Sequence, residues 1–227
     1  MRLVLFDIDG TLLNCGPQVR PLFADSLVEV YGMAGDIDGY DFAGRTDPGI
    51  VRDLITAAGM PAGEVMARLP RMQEVYLARL DAALDRRGMR LLPGVLELLE
   101  RLAARDDVVV ALLTGNWRPG AEIKLSRFDL NRFFRFGAFG CDGIERAELP
   151  PVAWERAERD TGRRFRPEET LIIGDSLQDV SCAQAHGIPV LAVATGRTPA
   201  AALRDAGADW VVPDLPAAEA CVPWLAG

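Results

Sequence analysis

Short apolar strands alternate with helical segments through most of the chain, and this alternation constrains the fold more than any other feature. Near-continuous apolar runs are typical of strands that are buried on both faces of a sheet. The predicted strands cover residues 2–8, 108–113, 134–139, 170–173, 189–194 and 210–212. The predicted helices of this region cover residues 95–104, 121–128, 151–161, 179–186 and 199–206. Repeated strand–helix units predict an α/β fold with a doubly wound parallel sheet and helices on both faces.

A long stretch between the first strand and this alternating region has a different pattern. From about residue 19 to residue 88, apolar residues recur at helical spacing, and no convincing strand appears. We therefore predict two parts within the 227 residues. An α/β core comprises residues 1–14 plus 90–227, and an all-helical insertion comprises residues 15–89.

Composition excludes several classes of function. Lys124 is the only lysine among 25 basic side chains, and His186 is the only histidine, so a zinc site built from several histidines is impossible. The formal net charge of −8 argues against a nucleic-acid partner. No apolar run approaches the roughly 18 residues of a membrane span. The four cysteines form no C-x-x-C pair. We expect a cytoplasmic protein that binds neither nucleic acid nor membrane.

Small polar and acidic residues follow three of the predicted strands. The first strand leads into Asp7 and Asp9, the strand at 108–113 into Thr114, and the strand at 170–173 into Asp175. Ligands of open α/β sheets bind beyond the carboxyl ends of the strands, so these side chains should converge at one edge. Unpaired carboxylates at one place repel each other, and a divalent cation resolves that conflict. Carboxylates, carbonyls and water are the ligands that magnesium prefers, so we predict Mg²⁺ as the cofactor.

Three segments carry a family resemblance that extends over essentially the whole chain. They are Asp7-Ile8-Asp9-Gly10-Thr11-Leu12, Thr114-Gly115-Asn116 and Gly174-Asp175-x-x-x-Asp179. In order and spacing they resemble motifs one, two and four of the haloacid dehalogenase-like hydrolases. The resemblance implies a Rossmann-like core, and the helical insertion resembles the small helical cap of that superfamily.

The resemblance also implies catalytic roles at these positions. Asp7 would be the nucleophile, which forms an aspartyl-phosphate. Asp9 would protonate the leaving oxygen and then activate water. Thr114 would hydrogen-bond the transferring phosphoryl group, helped by backbone amides near Gly115 and Asn116.

The same resemblance implies a magnesium site. Asp7, the backbone carbonyl of Asp9, and Asp175 would bind the metal. Asp179 would lie behind these ligands and orient water or the cation that binds phosphate.

Motif three departs from the family pattern. The family has a lysine at the start of the helix that precedes the fourth-motif strand, whereas the matching stretch here begins with Arg146. An arginine binds phosphate through a planar fork and is not a geometric copy of an ammonium group. Because Arg146 occupies the position that matches the family's lysine, we favour it as the phosphate-stabilising cation. Lys124, on the preceding predicted helix, is the competing candidate.

We expect the residues of the cap to determine substrate specificity. The segment Gly44-Arg45-Thr46-Asp47 resembles the substrate-facing cap loop of the family, and Arg45 could reach an acidic leaving group, although a surface salt bridge is nearly as plausible for it.

We predict a magnesium-dependent phosphatase similar to phosphoglycolate phosphatases, which acts on a small phosphorylated metabolite as a monomer or homodimer. Two alternatives stay open: a phosphomutase of the same architecture and a catalytically silent binding module.

Overall fold

A six-stranded parallel sheet forms the centre of the computed structural model, which describes residues 1–225. The strands of this sheet are β1 (Arg2–Phe6), β4 (Val108–Leu113), β5 (Gly137–Ala138), β6 (Thr170–Gly174), β7 (Val190–Val193) and β8 (Trp210–Val212). Two further strands, β2 (Leu13–Asn14) and β3 (Arg90–Leu91), form a separate ribbon. The order across the sheet is β5-β4-β1-β6-β7-β8, with every neighbouring pair parallel. The predicted α/β fold with a parallel sheet is confirmed.

Helices cover both faces of this sheet. They are α1 (Val19–Tyr31), α2 (Asp47–Ala57), α3 (Ala62–Ala83), α4 (Val95–Ala103), α5 (Arg118–Ser126), α6 (Leu149–Thr161), α7 (Leu177–Ala185), α8 (Ala200–Asp205) and α9 (Ala218–Cys221). Within residues 1–225, no helix combines the length and the apolar character that a membrane span requires.

Strand β1 shows how the sheet separates two apolar layers. Val4 and Phe6 point into a core shared with α1 to α5, whereas Leu3 and Leu5 point into a second core shared with α6, α7 and α8. This alternation follows from the two-residue repeat of a strand. Burial on both faces explains why β1 is apolar at every position from Leu3 to Phe6.

The chain direction across the sheet creates a crevice beside β1. From β1 the chain runs through β4 to β5 on one side, and then returns to β6 and continues to β7 and β8 on the other. The crevice at such a reversal lies beyond the carboxyl ends of β1 and β6, and it is the usual ligand site of this architecture.

The region between β2 and β3 contains α1, α2 and α3, as the periodicity predicted. The pairing of β2 with β3 was not predicted: Leu13 lies opposite Leu91 and Asn14 opposite Arg90 in an antiparallel ribbon. Two-residue strands carry too little periodicity to be seen in a sequence. The ribbon joins both connections to the helical region at one place.

Two predicted strands are shorter in the structure. The first ends at Phe6 and not at residue 8, because the chain turns toward Gly10, whose φ of 86° favours glycine. The strand predicted at 134–139 retains only Gly137–Ala138 beside β4. Its preceding residues follow a 3-10 turn, and Phe134 is apolar because it packs edge-on against Phe6.

Candidate active site

The carboxyl ends of β1, β4 and β6 bring the predicted polar residues to one edge of the sheet. Asp7 follows β1 directly, Thr114 follows β4 and Asp175 follows β6. All three side chains are buried and line or border one cavity of about 260 Å³ between the core and the region of α1 to α3. The three side chains therefore converge at one edge of the sheet, as the strand-end argument predicted, and their functional roles stay predictions.

Three carboxylates form the acidic cluster of the site. One oxygen from each of Asp7, Asp175 and Asp179 lies within 4.8 Å of the other two. Asp179 reaches the cluster from the first turn of α7, where its carboxylate also accepts hydrogen bonds from the backbone N–H and hydroxyl of Ser176, at 3.0 and 2.6 Å. The predicted role of Asp179, behind the metal ligands, stays a prediction, and the structure places its carboxylate next to Asp7 and Asp175.

The negative charge of this cluster is not balanced by the positive charge beside it. Burial raises the pKa of Asp7 to about 6, even though the charge of Arg146 opposes this shift. Burial and the negative charge of Asp7 raise the pKa of Asp175 well above its usual range. Three buried carboxylates share one guanidinium, so the ionised cluster is short of counter-charge.

The space around Asp175 also suits a compact cation. A Cβ atom placed on Gly10 would lie 2.3 Å from Oδ2 of Asp175, and one placed on Gly196 would lie 1.6 Å from it. The glycines thus allow backbone to surround this carboxylate closely. Oxygen ligands and unbalanced negative charge fit a small, hard divalent ion such as Mg²⁺.

Arg146 is the cation of this cluster. Its Nη2 lies 3.0 Å from Oδ1 of Asp7 and 2.5 Å from Oδ1 of Asp179, and it donates to the carbonyl of Leu113 at 3.0 Å. Nη1 donates to the carbonyl of Gly44 at 3.1 Å, which ties the core to the segment before α2. The residue is only 4% exposed. A planar fork with several donors serves these separate acceptors in a way that a lysine cannot.

Lys124 lies at a different carboxylate. From α5, its Nζ contacts Oδ2 of Asp9 at 2.5 Å and Oδ1 of Asn116 at 2.6 Å, and the residue is 3% exposed. Burial favours the neutral form of both members of the pair, but their opposite charges outweigh it. As a result the pKa of Asp9 is lowered and that of Lys124 is raised. Lys124 is bonded to Asp9, and Arg146 to Asp7.

Asn116, in the loop after β4, connects Asp9 to Thr114. The side-chain amide of Asn116 donates to Oγ1 of Thr114 and to Oδ2 of Asp9, both at 2.8 Å. The hydroxyl proton of Thr114 has no acceptor among residues 1–225 and is free to bond a ligand. Gly115 allows close approach, since a Cβ atom there would lie 2.0 Å from the backbone carbonyl of Arg45.

Arg45 lies on the cavity wall, and its guanidinium is also paired with a carboxylate. Its Nη1 lies 3.5 Å from Oδ2 of Asp53, and its guanidinium lies 5.2 Å from the ring centre of Tyr40. The side chain is 39% exposed. The structure therefore combines the two interpretations, a cavity-lining position and a partly exposed ion pair.

Asp47 ends the segment that resembles the cap loop, but its contacts with the loop after β4 were not predicted. It begins α2, yet its backbone N–H donates to the carbonyl of Gly115 at 2.7 Å and its Oδ2 accepts from the backbone N–H of Trp117 at 2.8 Å. It is 8% exposed and lines the cavity. The available signal was its position after Thr46 and before Pro48, which is typical of a helix start and gives no hint of a contact 70 residues away.

Replacing Asp47 with asparagine should change how stability depends on pH. Burial raises the pKa of Asp47 to about 6, from about 3.9 in the unfolded chain. The folded protein therefore binds more protons between about pH 4 and pH 6, and this group makes stability fall as pH rises through that window. Relative to the wild type, the Asp47→Asn variant should gain up to about 3 kcal/mol between pH 4 and pH 7.

Urea unfolding of both proteins at pH 4, 5, 6 and 7 measures this difference, in which the titrating groups that do not interact with Asp47 cancel. The exposed pair of Asp81 with Arg127 supplies a control, because Asp81→Asn removes the same charge from the surface of α3. A difference between Asp47→Asn and the wild type that stays flat with pH would contradict the expectation.

This chain is similar in sequence to a hydrolase family and to several phosphatases. The family model for haloacid dehalogenase-like hydrolases matches residues 4–193. A phosphoglycolate phosphatase of Synechococcus elongatus is 27% identical over 93% of this chain and 92% of its own length. A phosphoglycolate phosphatase of Rhodobacter capsulatus is 29% identical over 88% of each chain. Phosphoglycolate phosphatase 1 of Pseudomonas aeruginosa is also 29% identical, over 86% of this chain and 70% of its own.

Solved structures share the fold at lower sequence identity. A protein of Clostridium acetobutylicum, described as a predicted phosphatase, superposes with a TM-score of 0.74 at 19% identity and covers 100% of this chain and 99% of its own. A hydrolase of Pseudomonas syringae superposes with a TM-score of 0.70 at 20% identity over 94% of each chain. At these identities the likeness concerns the architecture.

Proposed function

The chain belongs to the haloacid dehalogenase-like hydrolase family, and on that premise we propose that it is a magnesium-dependent phosphatase of small phosphorylated metabolites. One observation carries the proposal: Oδ1 of Asp7, at the carboxyl end of β1, lies 3.0 Å from the buried guanidinium of Arg146. A carboxylate held beside a fixed cation is suited to attack a phosphoryl group whose charge that cation balances. The relatives named phosphoglycolate phosphatase support the same reaction class.

Asp7 is the nucleophile of the proposed first step. Its carboxylate oxygen forms a bond to phosphorus as the ester oxygen departs, which leaves an aspartyl-phosphate and an alkoxide. Because Lys124 lowers the pKa of Asp9, the proton for this step enters with the substrate, which binds as the phosphate monoanion and passes its proton to Asp9. Asp9 gives that proton to the alkoxide, which leaves as the alcohol. Arg146 and the free hydroxyl of Thr114 stabilise the charge on the transferring group.

Water completes the cycle. Asp9, now ionised, takes a proton from a water molecule, whose oxygen attacks phosphorus and breaks the bond to Asp7. Inorganic phosphate leaves with this proton, and both aspartates return to their initial states. The contacts of Lys124 and Asn116 with Asp9 hold that carboxylate in place through both proton transfers.

A magnesium ion would be held by Asp7 and Asp175, with the backbone carbonyl of Asp9. When bound, it supplies positive charge that neutralises the phosphoryl oxygens. We assign to Asp179 the task of fixing Arg146, since their contact is 2.5 Å. Residues 15–89 act as the cap in this proposal, with their helices closing the cavity over the core.

Phosphate release tests the proposed function and its metal dependence. We expect purified protein to release inorganic phosphate from members of a metabolite panel and from an aryl phosphate with Mg²⁺, and to lose activity after EDTA treatment until Mg²⁺ is restored. Binding of the metal to the folded state should also raise stability, by about 2.7 kcal/mol at a hundredfold excess over its Kd.

Two results would redirect the proposal. Isomerisation of a sugar phosphate with no phosphate released would identify a phosphomutase. Absence of turnover on the whole panel, by the wild type and by an Asp7→Asn variant alike, would favour a binding module.

A further inference from the structure

Two polar groups on the cavity wall have no partner in the protein. Oδ2 of Asp47 is bonded to the backbone of Trp117, but its Oδ1 accepts no hydrogen bond from residues 1–225. The hydroxyl of Tyr76, on α3, likewise makes no hydrogen bond within the described part of the chain. Both residues line the cavity, and Asp47 and Tyr76 are only 8% and 1% exposed.

Their positions are fixed by packing. The Tyr76 ring lies edge-on to Phe23, with centroids 4.9 Å apart, and 6.0 Å from the ring of Trp117. Asp47 is held at two points on the loop after β4. Within residues 1–225 the buried side-chain nitrogen and oxygen atoms that lack a partner are all arginine Nε atoms, so Oδ1 of Asp47 and the Tyr76 hydroxyl are open to the cavity, where a ligand can replace water as their partner.

Their chemistry identifies what they would bond. An ionised carboxylate oxygen only accepts, whereas a tyrosine hydroxyl both donates and accepts. A hydroxyl group on a ligand can donate to Asp47 and accept from Tyr76 at the same time. A ligand carboxylate can satisfy Tyr76 but is repelled by Asp47.

The cations around the cavity are largely committed to protein groups. Lys124 is bonded to Asp9, and Arg45 is paired with Asp53. Arg20 donates to a backbone carbonyl and lies 4.3 Å from the ring centre of Phe42. Arg197 is exposed on the core side and has no hydrogen-bond or ion-pair partner within residues 1–225. Arg197 and Arg20 are the cavity cations that have no carboxylate partner within residues 1–225, and Arg197 also has all its donors free.

We propose that Asp47 and Tyr76 form the leaving-group subsite and select phosphate esters whose alcohol carries a second, free hydroxyl. The proposal rests on the phosphatase function above, because the subsite lies beside Asp9, the group that protonates the leaving oxygen. Aromatic surfaces of Phe23 and Phe42 complete the wall and suit the carbon skeleton of a polyol. The favoured substrates are monophosphates of neutral polyols, ahead of phosphoglycolate.

A matched set of three substrates tests the selection in the wild type. Glycerol 1-phosphate carries free hydroxyls, 2-phosphoglycolate carries a carboxylate, and ethyl phosphate carries neither. We expect kcat/KM for glycerol 1-phosphate to exceed that for ethyl phosphate by at least about tenfold, because sites built to bond a hydroxyl reject analogues that lack it. The value for 2-phosphoglycolate should lie below that for ethyl phosphate.

Two variants connect the selection to these residues. Tyr76→Phe and Asp47→Asn should each lower the glycerol-to-ethyl ratio of kcat/KM about 3- to 10-fold. Asn keeps an oxygen for the Trp117 N–H and removes the charge, so Asp47→Asn should also raise the ratio for 2-phosphoglycolate over ethyl phosphate. Tyr31→Phe is the control, since the Tyr31 hydroxyl donates to the Val65 carbonyl at 3.0 Å, away from the cavity. Its ratios should match the wild type.

The outcomes separate this inference from the proposed function. A wild type that prefers 2-phosphoglycolate, or ratios that neither variant changes, would overturn the inference while the phosphatase function stands, and Arg197 would then be the leading carboxylate contact. If no ester is hydrolysed, the phosphatase function fails. In that case calorimetry on the wild type decides the subsite: tighter binding of glycerol 1-phosphate than of 2-phosphoglycolate supports it, and equal or weaker binding overturns it.

Discussion

Replacing Asp7 with asparagine is expected to lower kcat by at least about 10⁴-fold, because the amide cannot form the aspartyl-phosphate. Asparagine has nearly the same shape as aspartate, so the packing at the end of β1 should be retained. Burial raises the pKa of Asp7 to about 6, so at pH 8 the carboxylate is ionised in both states, and its charge destabilises the folded state relative to the unfolded chain. The free energy of unfolding of Asp7→Asn at pH 8 without added metal should therefore not fall.

Loss of activity without loss of stability makes this result specific. Phosphate release and urea unfolding measured on the same preparation distinguish a missing nucleophile from a damaged fold. Asp81→Asn removes a surface carboxylate that pairs with Arg127 at 2.6 Å, and it should retain wild-type kcat. More than about 1% residual activity in Asp7→Asn would assign the nucleophile elsewhere.

Replacing Arg146 with methionine is expected to reduce both stability and activity. The change leaves Asp7 and Asp179 without their buried counter-charge and removes donors from the carbonyls of Leu113 and Gly44. Loss of one partner from a buried ion pair typically costs about 3–5 kcal/mol of unfolding free energy. Loss of charge stabilisation at the phosphoryl group should lower kcat/KM by about 10²- to 10³-fold.

Lysine at this position is a useful intermediate. Arg146→Lys keeps the positive charge but replaces a planar fork with a single ammonium, which cannot serve the same four acceptors. We expect it to recover part of the kcat/KM lost in Arg146→Met, and to recover less of the stability. Equal defects in the two variants would show that charge is not what the site needs from Arg146.

Lys124→Met tests the competing assignment with the same assays. Because Lys124 contacts Asp9, its loss should impair proton transfer to poor leaving groups, and alkyl phosphates should suffer more than an activated aryl phosphate. The aryl-to-alkyl ratio of kcat/KM should therefore rise in Lys124→Met and stay near the wild-type value in Arg146→Met. A large, equal loss on both substrates in Lys124→Met would favour Lys124 as the phosphate-stabilising cation.

Much of the architecture could be predicted because the spacing of apolar residues along the chain indicates strands and helices. The apolar runs of β1, β4 and β6 indicated a parallel sheet, and the carboxyl ends of parallel strands necessarily share one edge. The placement of Asp7, Thr114 and Asp175 followed from that alone. The ribbon between β2 and β3 was not predictable, since two residues per strand leave no period to detect.

The sequence by itself determined which residues stand at the ends of the strands and hence the family to which the chain belongs. Only the tertiary structure decided how the long side chains divide among the carboxylates. Arg146 reaches Asp7 and Asp179, whereas Lys124 reaches Asp9 across 115 positions of sequence. Contacts between such distant segments depend on helix placement and side-chain direction, which no local pattern records. For the same reason Asp47 and Tyr76 became recognisable as one subsite only after the chain had folded.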